Sequence, residues 1–307
     1  DIQDFEFTIQ DEKLYMLQDL WISDNDIKSL HPAMFKGLSN LQALVLDNNK
    51  IAVMDAGQFK DLKALKYLTL WGNRLVDLDK RAFENLDNLN CLILGNNQLR
   101  EIDVDLFRSL DKLTRLELQM NLIGSLDGRT FRNQVNLVQL ELWQNNLRSL
   151  DPKLFSDMKN LEELSLADNK LEYLDARTFN GLKKLRVLNL SKNQLTSIHI
   201  QTFHGLVDLE ELSLYMNPIT ASENFQFTSD DRYHNPNVNG VDPDMFRDLR
   251  KLNKLLLLSS RGNDLYMLDR PYLYQRGPKY DNDRYTDDSD VSILFFFSFI
   301  IYSNISN

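Results

Sequence analysis

Leu161-Glu162-Glu163-Leu164-Ser165-Leu166-Ala167-Asp168-Asn169-Lys170-Leu171-Glu172-Tyr173-Leu174 sets five leucines around one asparagine. Leu164 and Leu166 alternate, as one face of a short strand must. The same frame recurs along the chain. Asn25, Asn49, Asn73, Asn97, Asn121, Asn145, Asn169, Asn193 and Asn217 stand 24 residues apart without a slip. A unit of this size cannot bury its own apolar face, so neighbours must stack and their strands must pair in parallel. The reading is a solenoid, and a solenoid of 307 residues grows without adding a second core.

The asparagine falls where the strand turns away. An amide both donates and accepts, so a buried one can satisfy turn backbone in its own and in adjacent units. These asparagines therefore read as scaffold. Ten residues after each of the first eight comes a phenylalanine: Phe35, Phe59, Phe83, Phe107, Phe131, Phe155, Phe179 and Phe203. They form an expected aromatic spine under the wall opposite the sheet. Six residues after the asparagines stand Asp55, Asp79, Asp103, Asp127, Asp151 and Asp175, with His31 and His199 in the same place. An acid there accepts free N–H groups at the start of a helical turn. Pro152 after Asp151 fits that start. A calcium ladder fits worse, because calcium needs several oxygens converging on one point.

The period frames five regions. Residues 1–13 precede the repeat, and alternating Phe5, Phe7 and Ile9 suggest a capping strand. Residues 14–220 hold nine regular units. Residues 221–240 are polar and read as an inserted loop, since the next spine residue, Phe246, is delayed. Residues 241–275 are expected to hold irregular final repeats, with Asn263, Leu265 and Leu268 closing the last. Residues 276–307 are an acidic tail and a short apolar segment, Val291–Tyr302, whose nature the sequence leaves open. Twelve residues fall short of the ~20 that span a bilayer.

Composition narrows the function. A net charge of −10 opposes a nucleic-acid footprint, which needs a basic stripe. The one cysteine, Cys91, excludes an internal disulfide and slightly favours a reducing compartment. The chain begins at Asp1, as a mature chain or a fragment would, so a missing leader is silent about secretion. His31 and His199 lie seven units apart, roughly 30 Å or more at the usual strand spacing, and cannot share a site. No nucleophile elbow, zinc spacing or phosphate-binding glycine loop occurs. The reading is a non-enzyme with no cofactor and no metal.

What remains is the outward face of the sheet, formed by residues two, four and six before each asparagine. All three tryptophans, Trp21, Trp71 and Trp143, fall there. Trp is enriched at binding hot spots. The expected partner-binding set is Trp21, Val45, Tyr67, Trp71, Ile93, Arg115, Glu117, Glu141, Trp143 and Tyr215. Its first half, with Cys91, forms an apolar patch; Glu117, Glu141 and Glu163 form an acidic one beside Arg115. Asn189-Leu190-Ser191 on the same face is an N-glycosylation acceptor, and Asn304-Ile305-Ser306 in the tail is a second.

The unit LxxLxLxxNxLxxLDxxxFxxLxxL, from Leu14 to about Leu268, closely resembles the 24-residue typical class of leucine-rich repeats. That class is similar to Toll-like receptor ectodomains, slit, chaoptin and insect leucine-rich immune proteins. The resemblance implies an α/β solenoid, a horseshoe with a parallel sheet on its concave face and short helical or irregular turns on the convex face. It implies extracellular recognition of a protein ligand or co-receptor, in immunity, adhesion or receptor assembly. A secreted chain is favoured, and a homo- or heterodimer is compatible. The ectodomain of an anchored receptor and an intracellular inhibitor or scaffold stand as alternatives, so membrane anchoring stays open. Cysteine-rich flanking caps, usual in that class, are absent from the sequence.

Overall fold

A computed structural model of the chain describes residues 14–31, 33–219, 246, 248–258 and 265–268, all within one compact unit, Asp1–Tyr274. Its strands are β1 (Asp19–Trp21), β2 (Ala43–Val45), β3 (Tyr67–Thr69), β4 (Cys91–Ile93), β5 (Arg115–Glu117), β6 (Gln139–Glu141), β7 (Glu163–Ser165), β8 (Val187–Asn189), β9 (Glu211–Ser213), β10 (Lys254–Leu258) and β11 (Leu265–Leu268). They form one sheet in chain order. From β1 to β10 every pairing is parallel, and through β9 the register places each residue opposite the one 24 later, as Leu116 opposite Leu140.

Burial follows the leucine frame. Leu164, Leu166, Leu171 and Leu174 join a single core that runs from Ile27 to Leu255. The phenylalanines line its far wall, with ring centroids 5.7 Å apart for Phe35–Phe59 and 6.2 Å for Phe155–Phe179. Phe246 continues this spine at 6.4 Å from Phe203, although 43 residues separate them in the chain. The core thus continues from β9 to β10, which pair directly. The expected capping strand in residues 1–13, inserted loop in residues 221–240 and tail with its apolar segment in residues 276–307 lie outside the described residues.

The asparagines do what an amide at a buried strand end must. Asn121 Oδ1 accepts Leu99 N–H of the preceding unit at 3.0 Å. Its Nδ2 donates to Leu94 O of that unit and to Leu118 O of its own, both at 3.0 Å. Asn49, Asn73, Asn97, Asn145, Asn169 and Asn193 repeat the pattern. A second ladder runs along one flank. Asn40, Asn88, Asn136 and Asn160 each donate to a carbonyl 25 residues earlier, as Asn136 does to Asp111 O.

The residue before each asparagine swings the chain off the strand in the left-handed region. Asp24, Asn48, Asn96, Met120, Gln144, Asp168, Lys192 and Met216 have φ between 51° and 57°, and Gly72 has φ 67°. Asn, Asp and Gly take this conformation at low cost; Met, Gln and Lys do not. Nothing in the leucine frame announces it, because the column is chemically mixed.

The convex segments are short turns, as expected, and the one named helical element among the described residues is the 3-10 turn Leu14–Met16. Most of the turns are capped by their opening residue. Asp79, Asp103, Asp127, Asp151 and Asp175 accept the N–H two residues on, at 2.8–2.9 Å. His31 and His199 accept the same N–H through Nδ1, which explains a histidine in an aspartate column. One expectation needs correction, at the end of the sheet. Leu265 and Leu268 do not close a further repeat: β11 returns antiparallel on β10, with Leu255 opposite Leu268.

Candidate functional site

Strand alternation turns three columns of side chains away from the core. Counted from each asparagine they run Asp19 to Glu211, Trp21 to Ser213, and Ser23 to Tyr215, one residue per unit in each. Trp21 on β1 is 75% exposed, the most open of the large apolar side chains among the described residues. Tyr67 is also exposed; Trp71, Ile93, Trp143 and Tyr215 are half-buried.

Outward does not mean open for the whole set. Val45 and Glu117 are buried, at 9% and 6% exposure, and so are Thr69, Gln119 and Ala167. A short side chain beside larger neighbours on adjacent strands is shaded by them. Glu117 is covered for another reason: it is held on both sides. Arg115 Nε donates to its Oε1 at 2.6 Å, and Gln119 Nε2 donates to its Oε2 at 2.7 Å. The expected acidic patch therefore contains one internally neutralised pair, and Val45 and Glu117 are not open contact residues.

Trp71 is positioned by a glycine. A Cβ on Gly95 would stand 2.4 Å from Trp71 Cζ3 and 3.1 Å from Gln119 Cδ. The indole thus lies over the bare backbone at Gly95 in the next unit, with Gln119 on the far side of that glycine. Gln119 Oε1 is buried without a donor among the described residues. No periodicity flags Gly95; the signal was a glycine one unit after a tryptophan in the same column.

Charge on the face is uneven. Asp47 accepts the Thr69 hydroxyl and, at 3.0 Å, Trp71 N–H, but among the described residues no cation pairs with it. Burial pushes its carboxyl above the ordinary value, against those two hydrogen bonds. Burial likewise raises Glu141, opposed by the amide of Gln139 and reinforced by Glu117 and Glu163. The two cations of the face are already engaged: Arg115 on Glu117, and Lys254 on Glu211 at 2.9 Å. Burial pushes the Cys91 thiol up to about 11, so it stays protonated at neutral pH.

The described histidines are apart from this face. His204 Nδ1 lies 2.5 Å from Asp248, and His31 and His199 cap their turns. Among the described residues no group of three His, Cys, Asp or Glu is placed to hold a metal. A groove of about 450 Å³ on one flank is lined by Asn90, Lys112, Asn136, Asn160 and Lys184. Its amides already donate to backbone carbonyls, so it belongs to the scaffold. Among the described residues no helix is long and apolar enough to cross a membrane.

The leucine rich repeat profile matches residues 16–75, 64–123, 111–171 and 159–219, one overlapping run across all nine units. The chain belongs to the leucine-rich repeat family. This leucine-rich repeat chain finds no match among curated proteins. Among solved structures it is similar to TLR13 in a complex with single-stranded RNA, at 29% identity and a TM-score of 0.65, covering 80% of this chain and 33% of that one. A leucine-rich repeat protein of Leptospira interrogans is 32% identical, with a TM-score of 0.61, covering 67% of this chain and 51% of that one. The leucine-rich repeat domain of FLRT2, in an octameric complex with latrophilin 3 and Unc5D, is 28% identical, with a TM-score of 0.62, covering 67% and 63%. Drosophila Toll, solved with Spatzle, shares the fold at 21% identity and a TM-score of 0.58. The chain thus spans a third to under two thirds of these proteins. Fold and family make it a protein-interaction module resembling Toll-like receptor ectodomains.

Proposed function

We propose that this repeat array binds a protein partner through the outward, concave face of its sheet, in an extracellular setting such as immunity, adhesion or receptor assembly. One observation carries the reading: all three tryptophans of the chain stand on that face, and Trp21 is three-quarters exposed. A large aromatic surface is held out of the core only at a cost, and exposed apolar patches of this kind mark interaction sites. TLR13 is seen with RNA, but the face here carries Asp19, Asp47, Glu117, Glu141, Glu163 and Glu211 against Arg115 and Lys254. That balance repels phosphate and favours a protein. Nothing in the site calls for catalysis, and the reading is non-enzymatic.

The extracellular setting draws on the neighbours TLR13 and FLRT2 and on the acceptor at Asn189. Asn189 lies on β8, and its Oδ1 accepts both Ser191 N–H and the Ser191 hydroxyl. A glycan there would withdraw the eighth strand from the contact and leave the tryptophan end free.

Trp21→Ala is the cleanest test, because that indole buries little in the free chain. Its loss is expected to cost less than about 0.5 kcal/mol in stability. Affinity capture from native fluid or membrane extract with the variant should lose the partner that wild type retains. Equal capture by both would sink the reading. Mass spectrometry of secreted protein tests Asn189, and an unmodified residue removes that part of the setting.

A further inference from the structure

We propose that the face takes a basic partner by seating two of its cationic side chains, one on Asp47 beside Trp71 and one on Glu141 beside Trp143. This rests on reading the face as the partner surface.

The carboxylates of the face divide into those already served and those not. Glu117 and Glu211 each hold a cation of this chain. Asp47 and Glu141 hold none among the described residues, although both are drawn partly out of water. An ionised carboxylate in that position is costly unless paired. Each has a tryptophan beside it on the same face: Trp71 follows Asp47 in its column on the next strand, and Trp143 stands two residues from Glu141. Carboxylate and indole face together match an ammonium or guanidinium, through a charge-assisted hydrogen bond and a cation–π contact.

Gln119 adds an independent observation. It lies between the two tryptophans in their column, beyond Gly95, and is 5% exposed. Its amide nitrogen is spent on Glu117, while its Oε1 has no donor. The atom is covered in the free chain, and Gln119 stands one unit before Trp143 in the same column, next to the second seat. Burying an acceptor without a partner is unfavourable, and a cationic ligand would relieve it. The two seats lie four strands apart, about 19 Å at the usual spacing. A partner must therefore present two cations at that separation, over the neutral stretch of Tyr67, Cys91 and Gly95.

The test uses the full chain with labelled indole nitrogens, titrated with N-acetyl-arginine methylamide and with its neutral citrulline counterpart. Arginine should shift the indole N–H signals of Trp71 and Trp143, and citrulline should bind at least tenfold more weakly. Asp47→Asn should abolish the Trp71 response alone, and Glu141→Gln the Trp143 response alone. Both variants keep an oxygen acceptor in place, and a melting curve checks each fold. Equal response to citrulline, or an arginine response surviving in both variants, overturns the proposal. The capture assay with Trp21→Ala separates the two claims. Partner lost there without any arginine effect removes the cation seats and keeps the face as the partner surface. Arginine binding with capture unchanged does the reverse.

Discussion

Asn121→Ala should cost the array about 3 kcal/mol, and the structure says where that figure arises. Asn121 Oδ1 is the acceptor for Leu99 N–H, and both groups are buried. Its Nδ2 donates to Leu94 O and Leu118 O. Those two carbonyls are not orphaned by the substitution, because Asn97 Nδ2 also donates to Leu94 O and Asn145 Nδ2 to Leu118 O. Each ladder carbonyl is shared by two successive asparagines. What is left stranded is the Leu99 N–H, at about 1–3 kcal/mol for a buried unsatisfied donor, with about 1 kcal/mol more for the net loss of the remaining bonds. Asn25 supplies the internal control. Among the described residues it donates to Ile22 O and Ser23 O alone and bridges to no earlier unit, so Asn25→Ala should cost about 1 kcal/mol. The assay is urea denaturation of both variants, with amide exchange at Leu99 reporting the local opening. Equal losses for Asn25→Ala and Asn121→Ala, or no faster exchange at Leu99, would refute the ladder as the source of stability.

Gly95→Ala should push the Trp71 indole out of its seat, since the new methyl would stand 2.4 Å from Cζ3. Because the ring can swing toward solvent, the expected outcome is a red-shifted tryptophan emission with a stability loss of about 1 kcal/mol, at the low end for overpacking; an unchanged spectrum would contradict the packing. Lys192 is exposed with φ 53°, so Lys192→Gly should raise stability by about 0.5–1 kcal/mol in a denaturation curve, by removing a left-handed strain. A loss there would show that the strain is not real. Glu141→Gln should stabilise the chain at neutral pH. Burial raises the folded carboxyl above its ordinary value of 4.5, so the folded state binds more protons through that window and wild type loses stability as pH rises through the folded value. The advantage of the variant should therefore vanish below pH 4.5, where both forms are neutral; a difference in melting temperature that persists in acid would argue for a packing effect instead.

Much of the fold was legible because it is periodic. One leucine frame repeated in register dictates parallel strands, and the strands dictate which residues face out. The Asp column was read correctly as turn-opening caps, but their turns end before a helix forms. The break in period after Asn217 was visible as a delayed Phe246, and Phe246 stacks on Phe203, so the spine resumes 43 residues on. The antiparallel return of β11 was not visible, because Leu265 and Leu268 keep repeat-like spacing while the direction of a strand leaves no mark in its spacing.

The candidate face divides along the same line. Alternation alone placed Trp21, Trp71 and Trp143 on one surface, since a side chain on a strand has only two sides to choose from. It could not rank them. Trp21 stands open on the first strand, while Trp71 lies down over Gly95, a contact made across strands between residues 24 apart. Nor could it tell Glu117 from Glu141, which share a column; Arg115 neutralises the first and leaves the second bare. Period and alternation are local properties of the chain, and so the sequence by itself determined the scaffold and the facing of every residue. Shading, pairing and charge compensation depend on neighbours brought together only by stacking, and those the tertiary structure decided.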